Sequence, residues 1–452
     1  MKILFALHQF FPEHYAGTEV LTLGLARELK VRGHEPYVFA AKRSFPVHDI
    51  RPGVIEDYEF GGVPVRRVGR PAEGLSRPYV LDYRNEMMAK RAREYMREVE
   101  PDIVHAMHFQ GLSASVISAF KEFGVSVVYT ATDFWTVCPV VDLRRHDGTM
   151  CRGPDLAHCP RCIMSRYPGS WIKKALDLTP NAALRTAGRL SETRLAGRSG
   201  PLRQVRALKE RPQSIKEQIK LVDWIIAPTK LTRELLAANG VGDDRVEVSH
   251  YGIDVSDILD VPRNRNQSPP LRVGFIGTLG PHKGCDILVR AFKSLLPELD
   301  ATLTVYGNLK RFEAFVEELY KLTGGDGRIE FAGTFPPERI GHVLSEMDVL
   351  VVPSRWYENT PLVVYSAFAA GTPVIATGLG GLSEVVKHGE NGLLFELENV
   401  EDLGRQLRRL GEEPGLLEEL RAGIGHVKTV EENVTELEEL YARLVKERGR
   451  SA

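Results

Sequence analysis

The chain has 452 residues, 26% charged and 43% apolar, with a formal net charge of −1. That composition describes an ordinary globular protein long enough for two or three domains. The near-neutral balance supplies no field to draw it onto nucleic acid, and no apolar run approaches the ~18 residues of a membrane span.

From the N-terminus, short β-rich runs alternate with amphipathic stretches. "KILFALH" reads as a buried first strand, not as the apolar core of a signal peptide, because no small-residue cleavage site follows it. The expected compartment is the cytoplasm, where thiols stay reduced. "TEVLTLGLARELKVRG" reads as a helix with Thr18 as its N-cap and Gly33 just past its end. "PYVFAA", "DIVHAMH", "SVVYTA", "DWIIAPT" and "VEVSHYGID" read as further strands, with helical stretches such as "YRNEMMAKRAREYMREVE" between them. This alternation predicts a parallel sheet covered on both faces.

Four of the five cysteines fall in "CPVVDLRRHDGTMCRGPDLAHCPRC": Cys138, Cys151, Cys159 and Cys162. Thiolates so spaced suit tetrahedral zinc with a closed shell, hence a structural metal. An iron–sulfur cluster is one alternative; free thiols or disulfides are the other, with disulfides disfavoured in the cytoplasm. His158 could substitute for one cysteine, and Cys285 reads as packing at a helix start. Residues 165–220 show no clear strand and carry 13 Lys/Arg against 4 Asp/Glu. They predict a basic helical insertion. It serves either as a solvated face or as a surface for anionic lipid or a phosphate-bearing acceptor, which would make the protein peripheral on the inner face of the plasma membrane.

"VPRNRNQSPP" reads as a linker, after which the alternation restarts with "LRVGFIGTL", "ATLTVYG", "IEFAGT", "DVLVVPS" and "PVIAT". The fold class is therefore α/β, with two doubly wound Rossmann-like domains, 1–260 and 271–430, facing a cleft. A charged helix over 431–452 is expected to pack back on the first domain. Such sheets bind ligands outside the carboxyl ends of their strands.

Three strand–helix junctions in the second half offer chemistry. In "GTLGPHKGCDILVRAF", Lys283 stands at a helix mouth as a compact cation suited to a diphosphate, although a lysine there is also common as plain surface. In "TGLGGLSEVV", Gly380 and Gly381 can aim backbone N–H groups at a ligand; Glu384 in the first helical turn equally suits the helix dipole. Glu358 lies between the strand "DVLVVPS" and the helix "PLVVYSAFAAG", with Pro361 in that helix's first turn. A carboxylate there can accept hydrogen bonds from sugar hydroxyls or complement the dipole.

Together, "AGTE", "RVGFIGTLGPHKG", "VLVVPSRWYENTPLVVYSAFAAGTPVIATGLGGLSEVV" and "HGENGLLF" resemble the retaining glycosyltransferases of the GT-B fold, family 4 type. The resemblance spans most of the chain and is densest from Arg272 to Phe395. It implies a nucleoside diphosphate sugar donor, a glycan or lipid-linked acceptor, retention at the anomeric carbon and no catalytic metal. It places Ala16–Gly17 near the donor diphosphate and the acceptor. Lys283 would lie on the donor phosphates and Glu358 on the transferred sugar. Leu379, Gly380 and Gly381 would form a loop of donor-binding amides. A comparable cysteine-rich loop occurs in some members.

Three positions depart from the family pattern. Ser366 stands where a second acid usually grips the ribose. Thr278 stands where an arginine often assists the lysine, between Gly277 and Leu279. Thr132 stands where a histidine commonly assists at the sugar, with Asp133, His105 and His108 as candidate replacements. For these histidines a hydrogen-bonded structural role is the plain alternative. The expected function is a glycosyltransferase acting on a surface polysaccharide or lipid-linked sugar. The competing readings are a weakly catalytic or non-catalytic nucleotide-sugar-binding scaffold and a sugar-nucleotide epimerase; Lys283 and Glu358 in transferase-like motifs argue against the epimerase.

Overall fold

The computed structural model describes residues 1–14, 16–42, 51–70, 78–167, 169–192, 200–262, 270–295, 299–359 and 361–451. Most of the linker stretch 261–270 therefore lies outside the described residues. The chain divides into two compact units, Met1–His250 with Glu431–Ala452, and Tyr251–Val430. Among the described residues no helix is long and apolar enough to cross a membrane.

The first unit is built on β1 (Lys2–Leu7), β2 (Glu35–Lys42), β3 (Ile55–Phe60), β4 (Val63–Gly69), β5 (Ile103–Ala106), β6 (Ser126–Thr130), β7 (Trp224–Ala227) and β8 (Val246–Val248). They form one eight-stranded sheet in the order β3-β4-β2-β1-β5-β6-β7-β8. The central strands are buried on both faces, which is why Ile3–Leu7 of β1 are all apolar instead of alternating, and every residue of β5, His105 included, is buried. The sheet is not wholly parallel, as the alternation predicted. β3 pairs antiparallel with β4 at the edge. The two-residue turn between them is Gly61-Gly62, with φ of +60° and +80°, a conformation that lets a hairpin close tightly.

The first helix, Gly17–Val31, is capped differently from expectation. Its N-cap is Ala16, and Thr18 sits inside the first turn. The Glu19 carboxylate reaches back to accept the Ala16 N–H at 2.8 Å, so an acid within the turn satisfies the helix start that a threonine side chain was expected to cap. The C-terminal helix Val430–Ser451 buries Val434, Leu437, Tyr441 and Leu444, one face at helical spacing. The Tyr441 hydroxyl lies 2.5 Å from His105 Nδ1, and Glu438 meets both Arg32 and His34.

The second unit is built on β9 (Leu271–Ile276), β10 (Ala301–Tyr306), β11 (Ile329–Gly333), β12 (Val349–Val352), β13 (Val374–Thr377) and β14 (Gly392–Phe395). All pairings are parallel, in the order β11-β10-β9-β12-β13-β14. Its core has two layers. Val349 and Val351 of β12 join Phe275, Phe292 and Leu407 on one side, while Leu350 and Val352 join Val364, Phe368 and Leu382 on the other. That is the period-two alternation of a strand covered on both faces. Chain direction across the sheet reverses at β1/β5 in the first unit and at β9/β12 in the second. Crevices outside the carboxyl ends at such points are where open α/β sheets bind ligands.

Candidate functional site

In the second unit, Lys283 follows β9 and Glu358 follows β12, the two strands at the switch point. The structure brings them together. Lys283 Nζ donates to Glu358 Oε1 at 2.6 Å, and Ser354 Oγ and Trp356 Nε1 donate to the same oxygen at 2.5 and 2.8 Å. All three bonds fall on Oε1, so Oε2 is the oxygen left to accept from a ligand. Glu358 is buried. Burial alone would push its carboxyl up, but the Lys283 charge and the three hydrogen bonds more than offset this and hold it below the ordinary carboxylate value. The Trp356 ring lies 5.1 Å from Lys283 Nζ and 4.6 Å from the His282 ring, walling the cation on one side.

Backbone detail explains how Lys283 reaches this place. A short 3₁₀ turn, Pro281–Lys283, ends at Gly284, whose φ is +70° and where an added Cβ would lie 1.9 Å from the Pro353 carbonyl oxygen. Only glycine fits so close to the end of β12. Arg355 fastens the same turn from the other side, donating to the Pro281 carbonyl and to Asp286. Sequence reasoning missed Ser354, Arg355 and Trp356, although all three stand within four residues of Glu358.

The remaining predicted residues of this unit are placed as follows. Thr278 lies in the β9 loop, its carbonyl accepting from Gly280 N–H. Leu379, Gly380 and Gly381 follow β13; Gly380 has φ +57° and is the N-cap of the helix Gly381–Val385. Pro361 is the N-cap of the helix Leu362–Ala369 and not a member of its first turn. Ser366, inside that helix, donates its hydroxyl proton to the Leu362 carbonyl at 3.2 Å. Cys285 is fully buried and opens a helix, as expected.

In the first unit a second group gathers at the β1/β5 switch point. His108, after β5, contacts the Asp133 carboxylate through Nε2, and its Nδ1 accepts from Gln110 N–H at 2.9 Å. This fixes the tautomer with the proton on Nε2, facing Asp133. The His8 ring packs 4.1 Å from that of His108, and His8 Nε2 lies 3.3 Å from Glu19 Oε1. Burial pushes the Glu19 carboxyl up. Gly17 opens the helix that carries Glu19. Sequence reasoning missed His8 and Glu19; a histidine one residue past β1 was the available signal. Thr132 spends its hydroxyl on the Met107 carbonyl at 2.7 Å. His105 is fully buried between Thr130 and Tyr441 and is a structural residue, its imidazole driven down to about 3 by burial.

The cysteine loop forms a knuckle in the same unit. Cys159 and Cys162 lie on the short helix Cys159–Met164. Burial, with the neighbouring thiols Cys138, Cys162 and Cys151 adding to it, pushes the Cys159 thiol up to about 12. Burial likewise takes Cys162 to about 11. The backbone N–H of Asp155 points at Cys159 Sγ, 3.3 Å away. Cys151 Sγ donates to the Gly153 carbonyl at 2.9 Å, and among the described residues no three of the four sulfurs lie within 4.8 Å of one another, so the loop does not hold the closed tetrahedron of thiolates that the spacing predicted. Among the described residues the metal-ligating atoms found within 4.8 Å of one another belong instead to His146, Asp147 and His158, on the same knuckle.

A hollow of about 650 Å³ lies at the amino ends of β6 and β7, lined by Lys121, Asp223, Trp224, Arg245 and Arg443. Lys121 is paired with Asp223, and Arg245 is spent on the carbonyls of Lys220 and Val222. It is a seam against the C-terminal helix, away from the switch-point groups.

Two Rossmann-like units in these strand orders define the GT-B class of fold. Solved structures share it over nearly the whole chain. Sucrose-phosphate synthase from Thermosynechococcus elongatus aligns with a TM-score of 0.65 at 20% identity, covering 98% of both chains. HepE of Anabaena, in complex with UDP and glucose, aligns with a TM-score of 0.63 at 18% identity, covering 98% of this chain and 99% of that one. A family model described as Glycosyltransferase Family 4 matches residues 15–257, and one described as Glycosyl transferases group 1 matches residues 270–413. The chain belongs to glycosyltransferase family 4.

Among curated relatives, the D-inositol 3-phosphate glycosyltransferase of Thermomonospora curvata is 31% identical over 301 residues, 60% of this chain and 68% of that protein. That of Rhodococcus jostii is 33% identical over 213 residues, 41% of this chain and 47% of that protein. The chain spans about half the length of most of the curated relatives it matches.

Proposed function

We propose that the protein transfers a sugar from a nucleoside diphosphate sugar to a hydroxyl acceptor, with retained anomeric configuration. The observation that carries this reading is the convergence of Lys283 and Glu358 at the β9/β12 switch point, one Glu358 oxygen saturated and the other available. A sugar hydroxyl can donate to Oε2, while the ammonium answers the charge that develops on a departing diphosphate. The Gly380–Gly381 amides are suited to further donor oxygens. Asp133, oriented by His108, is the acceptor-side group of this reading. It requires no catalytic metal.

The acceptor is proposed as a glycan or lipid-linked sugar, on the path to a surface polysaccharide. The names of the relatives make D-inositol 3-phosphate a necessary member of any acceptor panel, and the complex of HepE with UDP-glucose makes that nucleotide sugar a necessary donor. The chain is proposed to act in the cytoplasm, with peripheral membrane contact through 165–220. Cys138, Cys151, Cys159 and Cys162 are proposed to hold a structural zinc ion; their Cys-x-x-Cys spacing and the Asp155 amide aimed at Cys159 support this.

The second reading, a weakly catalytic or non-catalytic nucleotide-sugar scaffold, is favoured by Ser366. A serine bonded back into its own helix offers the ribose less than a carboxylate would. Incubation with a panel of nucleotide sugars, with and without acceptors, separates the two. Acceptor-dependent release of nucleoside diphosphate is expected. Tight donor binding with neither transfer nor hydrolysis would establish the scaffold.

A further inference from the structure

The helix Trp171–Leu178 has no buried residue, although five of its eight side chains are apolar. Its inner side is Ile172, Leu176 and Thr179, each partly covered. Its outer side is Trp171, Lys174, Ala175 and Leu178, spaced to form one stripe, with Trp171 75% and Leu178 86% exposed. Isolated exposed apolar residues are ordinary, but a tryptophan and a leucine one above the other on an otherwise unburied helix are not. The next helix, Asn181–Leu190, adds exposed Arg185 and Arg189, and Leu190 is 54% exposed.

The ridge is held rigidly from below. Arg161 stands between Cys159 and Cys162, and its buried guanidinium donates to the carbonyls of Ala157, Leu176 and Thr179 and to Asn181 Oδ1. One side chain of the cysteine knuckle thus pins the corner between the two outer helices. The inner side of the helix rests on the knuckle helix Cys159–Met164, and Arg161 fixes it there with the Trp171–Leu178 stripe presented outward.

We propose that the Trp171–Leu178 ridge, carried on the cysteine knuckle by Arg161, docks onto an anionic lipid bilayer. Charge selects this occupant. The ridge and the helix after it, 171–190, carry Lys173, Lys174, Arg185 and Arg189 against Asp177 alone, which complements an anionic leaflet. A second copy of the chain would set this excess against itself. An indole at the level of the headgroups, flanked by lysine and arginine, is the pattern of an interfacial helix. One tryptophan, one alanine and one leucine fall well short of the ~800 Å² that a specific protein partner would need to cover. The inference rests on the proposed membrane contact through 165–220 and names the surface and the lipid chemistry for it.

The test is co-sedimentation of the full chain with vesicles of phosphatidylglycerol and phosphatidylcholine at 3:7, against vesicles of phosphatidylcholine alone. Binding is expected to the anionic vesicles, falling as salt rises, and weakened about tenfold by Trp171→Ala with Leu178→Ala and also by Lys174→Glu. These positions are exposed, so all variants should keep the wild-type Tm and the wild-type turnover of a water-soluble acceptor. Loss of turnover on soluble acceptors in every form would break the transferase reading and leave the lipid result standing. Equal sedimentation of wild type and variants, no preference for anionic vesicles, or a dimer abolished by the double variant would each overturn the bilayer ridge.

Discussion

Arg355 holds Asp286 through two parallel hydrogen bonds of 2.6 and 2.7 Å, and in doing so ties the loop after β12 to the helix that follows Lys283. Arg355 N–H also donates to the His282 carbonyl, and its side chain reaches Glu398. It is a positioning residue: the planar guanidinium fixes two loops in register so that an ammonium and a carboxylate meet. A lysine could supply the charge but not the paired geometry.

Arg355→Ala and Arg355→Lys should both lower kcat/KM for the donor by roughly tenfold, because a small misplacement of reacting groups is costly. Acceptor KM should be unchanged. A role confined to stability would lower Tm while leaving donor kinetics of the folded fraction intact, and that result would remove the positioning role.

Lys283→Ala should reduce turnover by about 100-fold, in the range expected for removing one group that stabilises a leaving-group charge. Glu358→Gln should act chiefly on the donor sugar and leave affinity for the free nucleoside diphosphate nearly unchanged. Trp356→Phe removes only the indole N–H from Glu358 Oε1 and keeps the wall beside Lys283, so a loss of about threefold to tenfold is expected. Calorimetric titration with nucleoside diphosphate and with nucleotide sugar separates these. Unchanged donor affinity and turnover in all three variants would move the site elsewhere.

Much of this site could be read from the residues. Lys283, Glu358 and Gly380 stand at strand ends beside glycine or proline, where backbone chemistry marks a junction. The strands of the second unit were legible because each is a short β-rich run between turn signals, fully apolar in β12 and alternating in β10. What escaped depended on contacts distant in sequence. Arg355 to Asp286 spans 69 residues and His108 to Asp133 spans 25, and no local pattern announces either pair. The β3–β4 hairpin carried a signal in Gly61-Gly62, but Glu56, Asp57 and Glu59 in the edge strand and Arg66 and Arg67 in its neighbour weaken the periodicity. The helix start at Ala16 was missed because Glu19, not Thr18, completes it.

His105 gives a pH dependence with a definite sign. Its imidazole is fully buried and is driven from an ordinary value of about 6.5 down to about 3 by desolvation. Below the ordinary value the unfolded chain takes up a proton that the folded chain refuses. Stability should therefore fall as pH drops from about 6.5 toward 3, this residue contributing a slope of about 1.4 kcal/mol per pH unit between those values. His105→Gln should cost stability at pH 7, since the bonds to Thr130 and Tyr441 are disturbed, but its slope over that window should be smaller by one proton. Denaturant unfolding at several pH values reads this directly. An identical slope in both proteins would mean that His105 is charged in the fold.

The cysteine knuckle yields the remaining prediction. With the Cys159 and Cys162 thiols held up to about 12 and 11, both are protonated at neutral pH in the absence of a cation. Zinc must therefore expel protons as it binds, and its affinity should rise with pH. Purified protein should carry about one zinc per chain. Replacement by cobalt should give the intense thiolate charge-transfer absorption of a tetrahedral sulfur site, and Cys159→Ser with Cys162→Ser should abolish it. Because Arg161 between these cysteines anchors the outer helices, removal of the metal by a chelator should lower Tm and expose the Trp171–Leu190 region to protease before the two sheets unfold. If the metal is held by His146, Asp147 and His158 instead, the cobalt spectrum will lack the sulfur band and survive the double serine variant. A metal-free protein with undiminished Tm would exclude both sites.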